Sequence, residues 1–298
     1  MEQFTLRATD NVQLHVRVYD APSCKGVVQL IHGMEEHQAR YEDFATFLNE
    51  RGYSVVSSDM RGHGEAAEKL GWFKEKDGYR ALVDDQKTIR NYISERYGDL
   101  PVYLMAHSMG TIVSRVLLQT DSGVYKKVAL SGAPNYQAAT PGGLVLANVI
   151  GLFRGGEYKS PLLENISLKA FNKGFQNPRT EFDWLSTNEA AVDKYLADPY
   201  CGKGFTCSAY KDLYRLLLLM HKAKEYKNVN KDLPIAFFSG AQDVCTGGEK
   251  GLQDSVSVLK KAGFTAVSRK EYQGMRHEIL GEKDNIRVYT DIAEYFDS

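Results

Sequence analysis

Nowhere in the 298 residues does a block of like charges occur, and the formal net charge is only -1. The electrostatic footprint of a nucleic-acid-binding surface is therefore missing, and small neutral or amphiphilic molecules fit better as ligands. Residues 144–153 are apolar almost throughout, yet too short to cross a bilayer, which takes roughly 20 residues. The opening Met1-Glu2-Gln3-Phe4-Thr5 runs straight into polar sequence, without the basic start and apolar stretch of a secretory signal, so a cytoplasmic protein is expected. Four cysteines, Cys24, Cys201, Cys207 and Cys245, lack the paired short spacings of zinc sites, and a chain of this length needs no disulfide staples; reduced thiols are the expectation. No internal repeat or low-complexity tract is evident.

What remains is globular material, 43% hydrophobic and 25% charged, enough for a packed core. The length allows one large α/β domain with an insertion, or two ordinary domains. Residues 4–19 alternate around an Asp10-Asn11 turn signal and read as a β-hairpin. Short continuous apolar runs follow at residues 27–31, 54–57, 102–105, 128–130 and 235–238, suited to strands buried on both faces. Between them lie helix-period stretches carrying Tyr41, Phe44, Ala45, Phe47 and Leu48, then Leu82, Ile89 and Ile93. Such alternation implies an α/β class, a mostly parallel, doubly wound sheet with right-handed crossovers. The rhythm breaks between about Pro134 and Leu233. The expected organisation is a core of residues 1–133 and 234–298 and an inserted, mainly helical cap of residues 134–233, with two last helices near residues 249–262 and 284–296.

The strand at residues 102–105 leads into Ala106-His107-Ser108-Met109-Gly110 and then a segment of helical length. Strand, tight turn and helix form the context of a nucleophile elbow, in which a serine on strained backbone exposes its oxygen above the sheet. Ala106 stands where the first glycine of Gly-x-Ser-x-Gly is usual, a difference of one methyl group. By itself the five-residue pattern is weak, since a serine among small residues often only caps a helix. An oxyanion hole needs two backbone N–H groups, one from the residue after the serine and one from a loop after an early strand. Met109 supplies the first. The strand at residues 27–31 ends in His32-Gly33-Met34-Glu35-Glu36-His37, so Met34 is the candidate for the second.

With such an elbow the acid and then the histidine follow the serine in the chain. Of seven histidines, His277 alone follows the returning strand at 235–238, on a loop after the strand-like residues 268–272. That strand runs into Ser239-Gly240-Ala241-Gln242-Asp243-Val244, leaving Asp243 on a loop where it can hold the imidazole tautomer. Asp254 and Asp284 fall in expected helices and Glu278 abuts the base, so Asp243 is preferred. His15, His63, His107 and His221 are read as structural.

At this point the sequence resembles the monoacylglycerol lipase and lysophospholipase branch of the α/β-hydrolases, grouped with serine aminopeptidase-like hydrolases. The resemblance rests on residues 32–37, Asp59-Met60-Arg61-Gly62-His63-Gly64, residues 107–110, residues 239–243 and His277-Glu278; in the cap, residues 182–186 and 198–202 look like segments of bacterial members. It implies an α/β-hydrolase fold and hydrolysis of carboxylic esters through an acyl-enzyme, with Ser108, Asp243 and His277 as triad and Met34 and Met109 as oxyanion donors. Monoacylglycerol or lysophospholipid-type esters are the expected substrates. Val244-Cys245-Thr246 departs from the proline-valine-glycine stretch common in relatives after the acid. In the family the region equivalent to residues 144–153 lines an acyl tunnel or touches lipid surfaces. A helix apolar on every side must bury itself somewhere, so Leu144, Leu146 and Ile150, with Trp184, are the expected substrate wall, and transient membrane or micelle contact through the cap is a further expectation. The leucine-rich residues 216–220 read as core, and Tyr195, Tyr200 and Phe205 as aromatic packing. The mechanism requires no cofactor and no metal. Two alternatives stay open: an amidase or peptidase using the same triad, and a non-catalytic binding module that keeps the fold.

Overall fold

Strands β1 (Glu2–Arg7) and β2 (Gln13–Tyr19) form the antiparallel hairpin, with Leu6 opposite Leu14. Alternation in β2 turns Leu14, Val16 and Val18 into the core and leaves Gln13, His15 and Arg17 outside. The computed structural model describes residues 1–298, apart from the side chain of Lys169. Six further strands complete one sheet: β3 (Gly26–Ile31), β4 (Tyr53–Ser58), β5 (Val102–His107), β6 (Lys127–Ser131), β7 (Ile235–Gly240) and β8 (Val267–Tyr272). Their order is β1-β2-β4-β3-β5-β6-β7-β8, with β2 antiparallel to β4 and every pair from β4 to β8 parallel. The five continuous apolar runs are thus the five central strands, buried on both faces.

Helices cover both faces, as parallel strands require. On one side lie α1 (Glu42–Glu50) and α10 (Asn285–Asp297), which bury Phe44, Leu48, Val288, Ile292 and Phe296 at helical spacing. On the other lie α2 (Gly78–Tyr97), α3 (Met109–Asp121) and α9 (Gly248–Lys261), through Leu82, Ile89, Ile93, Ile112, Val113, Leu117, Val256 and Leu259. Each such side chain contributes about 2 kcal/mol by leaving water. Between β6 and β7 the chain forms α4 (Thr140–Arg154), α5 (Pro161–Ile166), α6 (Leu168–Phe171), α7 (Glu189–Ala197) and α8 (Cys207–Met220). In this insertion α4 packs on α8, and α8 in turn on α2 and α3. Among the described residues no helix is long and apolar enough to cross a membrane.

The site is placed by a reversal in strand order. From β3 the chain moves to β4 on one side, then returns to β5 on the other, so the loops leaving β3 and β5 diverge and open a crevice at their carboxyl ends. Register sets Ile31 beside Ala106, which brings the Gly33 loop and Ser108 together. Helix α3 must approach β3 closely there. A Cβ on Gly110 would collide with the backbone carbonyls of Ile31 and His32, neither of which can swing aside. Ala106, fully buried in β5, meets no such barrier. Gly110→Ala is therefore expected to cost about 2 kcal/mol in urea unfolding, and an unchanged midpoint would show that α3 is free to shift off β3.

Candidate active site

Ser108 joins β5 to α3 with φ 49° and ψ -120°, a conformation that costs a non-glycine residue on the order of 1–3 kcal/mol. His277 Nε2 lies 2.8 Å from its Oγ, and His277 Nδ1 lies 3.0 Å from each carboxylate oxygen of Asp243. With Nδ1–H donated to the carboxylate, the neutral ring presents Nε2 as an acceptor to the serine hydroxyl. His277 is 1% exposed and Asp243 4%. Burial, the largest single influence, lowers the imidazole pKa, but the Asp243 carboxylate together with Glu278 and Glu36 outweighs it and the net direction is up.

The unusual Val244-Cys245-Thr246 stretch forms a 3-10 turn that holds Asp243: Cys245 N–H donates to Asp243 Oδ1 at 2.9 Å and Thr246 Oγ1 to the Asp243 carbonyl at 2.8 Å. Burial, then the charge of Asp243, keeps the Cys245 thiol protonated. Among the described residues two groups have potential metal-ligand geometry, Asp243 with Cys245 and His277, and His37 with Asp198 and Cys201. In both, histidine and aspartate already bond to each other, at 2.8 Å in the second. All four cysteines are free thiols.

The Gly33 loop runs against Ser108, since a Cβ on Gly33 would stand 3.0 Å from the serine Cβ. Met34 follows it, and Met109 opens α3, whose first N–H groups have no intrahelical acceptor. Both border a cavity of about 840 Å³ that also reaches Ser108 and His277. Leu146, Ile166, Leu168, Phe171, Leu213 and Leu217 give that cavity its apolar walls. Trp184 borders it too, its ring 5.1 Å from the His277 ring.

Leu144 and Ile150, expected on the same wall as Leu146, do not line the cavity. Leu144 stands about 200° around α4 from Leu146, and Ile150 lies one turn farther along, where the helix packs against the core. Nor does α4 bury itself all round: Val145, Val149, Leu152 and Phe153 are 46–81% exposed. Residues 216–220 of α8 divide, with Leu216 and Met220 in the core and Leu217 at the cavity. Tyr195 reaches the cavity, whereas Tyr200 and Phe205 do not. His107, read as structural, packs 4.8 Å from the His277 ring and borders the cavity; burial brings it down to about 3, so it is neutral.

Sequence reasoning missed a set of charges around the site. Arg40 bonds both Glu36 and Glu278, and Glu278 N–H donates to the Leu185 carbonyl at 2.7 Å. Glu35, with φ 55°, lies 4% exposed. Its carbonyl accepts from Gly202 N–H and Tyr195 Oη, its Oε2 from Gly204 N–H, while Oε1 has no hydrogen-bond partner among the described residues. The acidic pair at 35–36 in the post-strand loop was the one available signal.

Residues 22–284 match the family model described as serine aminopeptidase, S33. The chain belongs to this family. Among its relatives, the monoacylglycerol lipase of Mycolicibacterium smegmatis is 25% identical over 275 residues, covering 91% of this chain and 88% of that protein. The monoglyceride lipase of Mus musculus is 28% identical over 185 residues, 59% of this chain and 52% of the relative, so that match spans about half of the mouse protein. A thermostable carboxyl esterase from Bacillus coagulans, solved with glycerol, superimposes with a TM-score of 0.91 at 22% identity, covering 99% of this chain and 97% of its own. The shared fold is the α/β-hydrolase sheet with helices on both faces.

Burial, then the charge of Glu164, pushes the Glu35 carboxyl up to about 8. A carboxyl raised above its unfolded value near 4.5 adds its full share below that value, and the share is lost as pH rises through 8. Glu35→Gln keeps an acceptor for Gly204 and removes the titration. It is expected to be more stable than wild type at pH 9 by a few kcal/mol, at ~1.4 kcal/mol for each unit by which the pKa is raised, and much closer to wild type at pH 5. Equal urea midpoints at both pH values would show that Glu35 does not titrate in this range.

Proposed function

We propose that this protein is a serine hydrolase that cleaves carboxylic esters of single-chain acyl lipids, of the monoacylglycerol or lysophospholipid kind, through an acyl-enzyme. The observation that carries this reading is the chain of hydrogen bonds from Asp243 through His277 to Ser108, opening directly into an apolar cavity of about 840 Å³. A volume of this size accepts a ligand with one acyl chain. Ser108 Oγ attacks the ester carbonyl carbon while His277 Nε2 takes its proton, and Asp243 stabilises the resulting imidazolium. The carbonyl oxygen, now negative, accepts from the N–H groups of Met34 and Met109; one such donor is worth about 3 kcal/mol. His277 passes the proton to the leaving alcohol, and water, activated by the same histidine, releases the fatty acid.

The cavity argues for esters over peptides. An aminopeptidase must hold a substrate ammonium group, yet the carboxylates among the described lining residues, Glu36 and Glu278, are both engaged by Arg40. The relatives in Mycolicibacterium smegmatis and Mus musculus carry monoacylglycerol and monoglyceride lipase names, which supports the lipid reading. The exposed apolar face of α4 shares its helix with Gly142, Gly143 and Leu146 of the cavity wall, and a lipid surface is the proposed contact for it. The free cysteines fit a cytoplasmic setting.

A fluorophosphonate probe should label the wild type and not Ser108→Ala; labelling that survives the substitution overturns the assignment. Monoacyl esters should turn over faster than the matching aminoacyl amides, with the reverse order favouring a peptidase. Leu152→Ser with Phe153→Ser is expected to lower hydrolysis of vesicle-borne monoacylglycerol several-fold and to leave a short water-soluble ester unaffected. Equal losses on both substrates would remove the lipid-surface contact.

A further inference from the structure

Three charged side chains beside the catalytic histidine have no part in the mechanism above, and they are joined to each other. Arg40 Nη1 donates to Glu36 Oε2 at 2.5 Å and to Glu278 Oε1 at 2.7 Å, and its Nη2 donates to Glu278 Oε2 at 2.7 Å. The Glu36 and Glu278 side chains are 3% and 9% exposed, and that of Arg40 is 16% exposed. Arg40 also lies over the Tyr195 ring, 5.0 Å from its centre. Taking two carboxylates and a guanidinium out of water costs several kcal/mol per ion, and buried ion pairs barely recover it. Here the sum is also one negative charge in excess, so stability alone gives no reason for the arrangement.

Its connections do. The second oxygen of Glu36 accepts from the Gly33 N–H at 2.5 Å and the Tyr41 hydroxyl at 2.6 Å, which pins the His32–Gly33 peptide, one residue before Met34. Glu278 is bonded in sequence to His277, and its own N–H is held by the Leu185 carbonyl. One guanidinium thus spans the loop that offers an oxyanion donor and the loop that carries the base. The bidentate fork fixes direction as well as distance.

We propose that Glu36, Arg40 and Glu278 are positioning residues, a buried clasp that sets the Met34 loop against the His277 loop and whose excess negative charge stabilises the imidazolium formed during acyl transfer. This rests on the serine-hydrolase reading above. The other groups facing His277 leave that charge unopposed: His107 on β5 is neutral, Trp184 of the insertion is uncharged, Cys245 keeps its proton, and Asp243 bonds the imidazole without touching the clasp. Both Glu278 and Glu36 act on the imidazole in the same direction as Asp243.

The test separates charge from geometry. Glu278→Gln keeps the shape and removes the excess charge; the acid limb of its kcat/KM profile on a soluble ester should move to lower pH by about half a unit, with kcat down about tenfold and KM within twofold. Arg40→Lys keeps the charge and loses the fork; its kcat should fall while the acid limb stays in place. Rates are expressed per site titrated with the fluorophosphonate, so that loss of folded protein does not count as loss of catalysis. If Glu278→Gln does not fold, Glu36→Gln removes the same charge from the other loop and should give the same shift. An acid limb that does not move in either glutamine variant, or wild-type kcat per labelled site in Arg40→Lys, overturns the clasp. Failure of the serine-hydrolase reading shows separately, as probe labelling that persists in Ser108→Ala.

Discussion

Everything at the candidate site hangs on the backbone of Ser108, held at φ 49° where β5 ends and α3 begins. Left to itself such a residue would relax. It is kept in place by the strand before it, paired on both sides, and by a helix that only Gly110 allows to press against the carbonyls of β3. Because the turn is sharp, the hydroxyl stands clear of the sheet on the side where His277 can reach it, across 169 positions of chain. The same turn places the Met109 N–H at the head of a helix, where anions are favoured. The proposed nucleophile and one of the proposed oxyanion donors are thus fixed by a single local constraint.

Around that turn, burial decides the charge states. His107, His32 and His63 are pushed down by loss of water and remain neutral, whereas His277, equally buried, is carried the other way by the carboxylate at its Nδ1. Four buried imidazoles in related surroundings therefore divide by their partners: only the one facing Asp243 is prepared to accept a proton. That selectivity costs the fold a buried carboxylate, which the turn at Val244–Thr246 answers with one hydrogen bond to it, from Cys245 N–H, and a second to the Asp243 backbone carbonyl, from Thr246 Oγ1.

Much of this was legible in sequence because it is local or follows chain order. Strands buried on both faces announce themselves as unbroken apolar runs, and an elbow is a strand, five residues and a helix. Asp243 could be chosen because Asp254 sits inside α9 and Glu278 abuts the histidine; Asp284, expected in a helix, stands instead in the turn just before α10. The Arg40 bridge could not be read in the same way, since its partners lie 4 and 238 positions away and only the closed sheet brings them together. The α4 wall failed for a different reason. Composition showed that the helix is apolar, but Leu144 and Leu146 differ only in which side of the helix they occupy, and that is set by where α8 lies. For the same reason the side of α4 left uncovered could not be named, although lipid contact through the cap was expected: periodicity cannot tell a buried side from an exposed one.

The insertion meets the catalytic core unevenly. Its segment 183–188 is sewn to the loop around His277: Arg276 Nη1 reaches the carbonyls of Asp183 and Ser186, Glu282 accepts from Thr187, and Asn188 donates to the Gly281 carbonyl. Helices α4 to α6, which form much of the apolar wall, hold mainly to the insertion itself, as where Glu164 and Ser167 bond Tyr210. Two walls of one cavity thus have different freedom to vary over evolutionary time. Substitutions in α4 to α6 can lengthen, shorten or bend the space for an acyl chain while the proton relay stays as it is, whereas a change in 183–188 alters the seat of the base. On the proposed function, substrate range and reactivity rest on separate stretches of the same insertion.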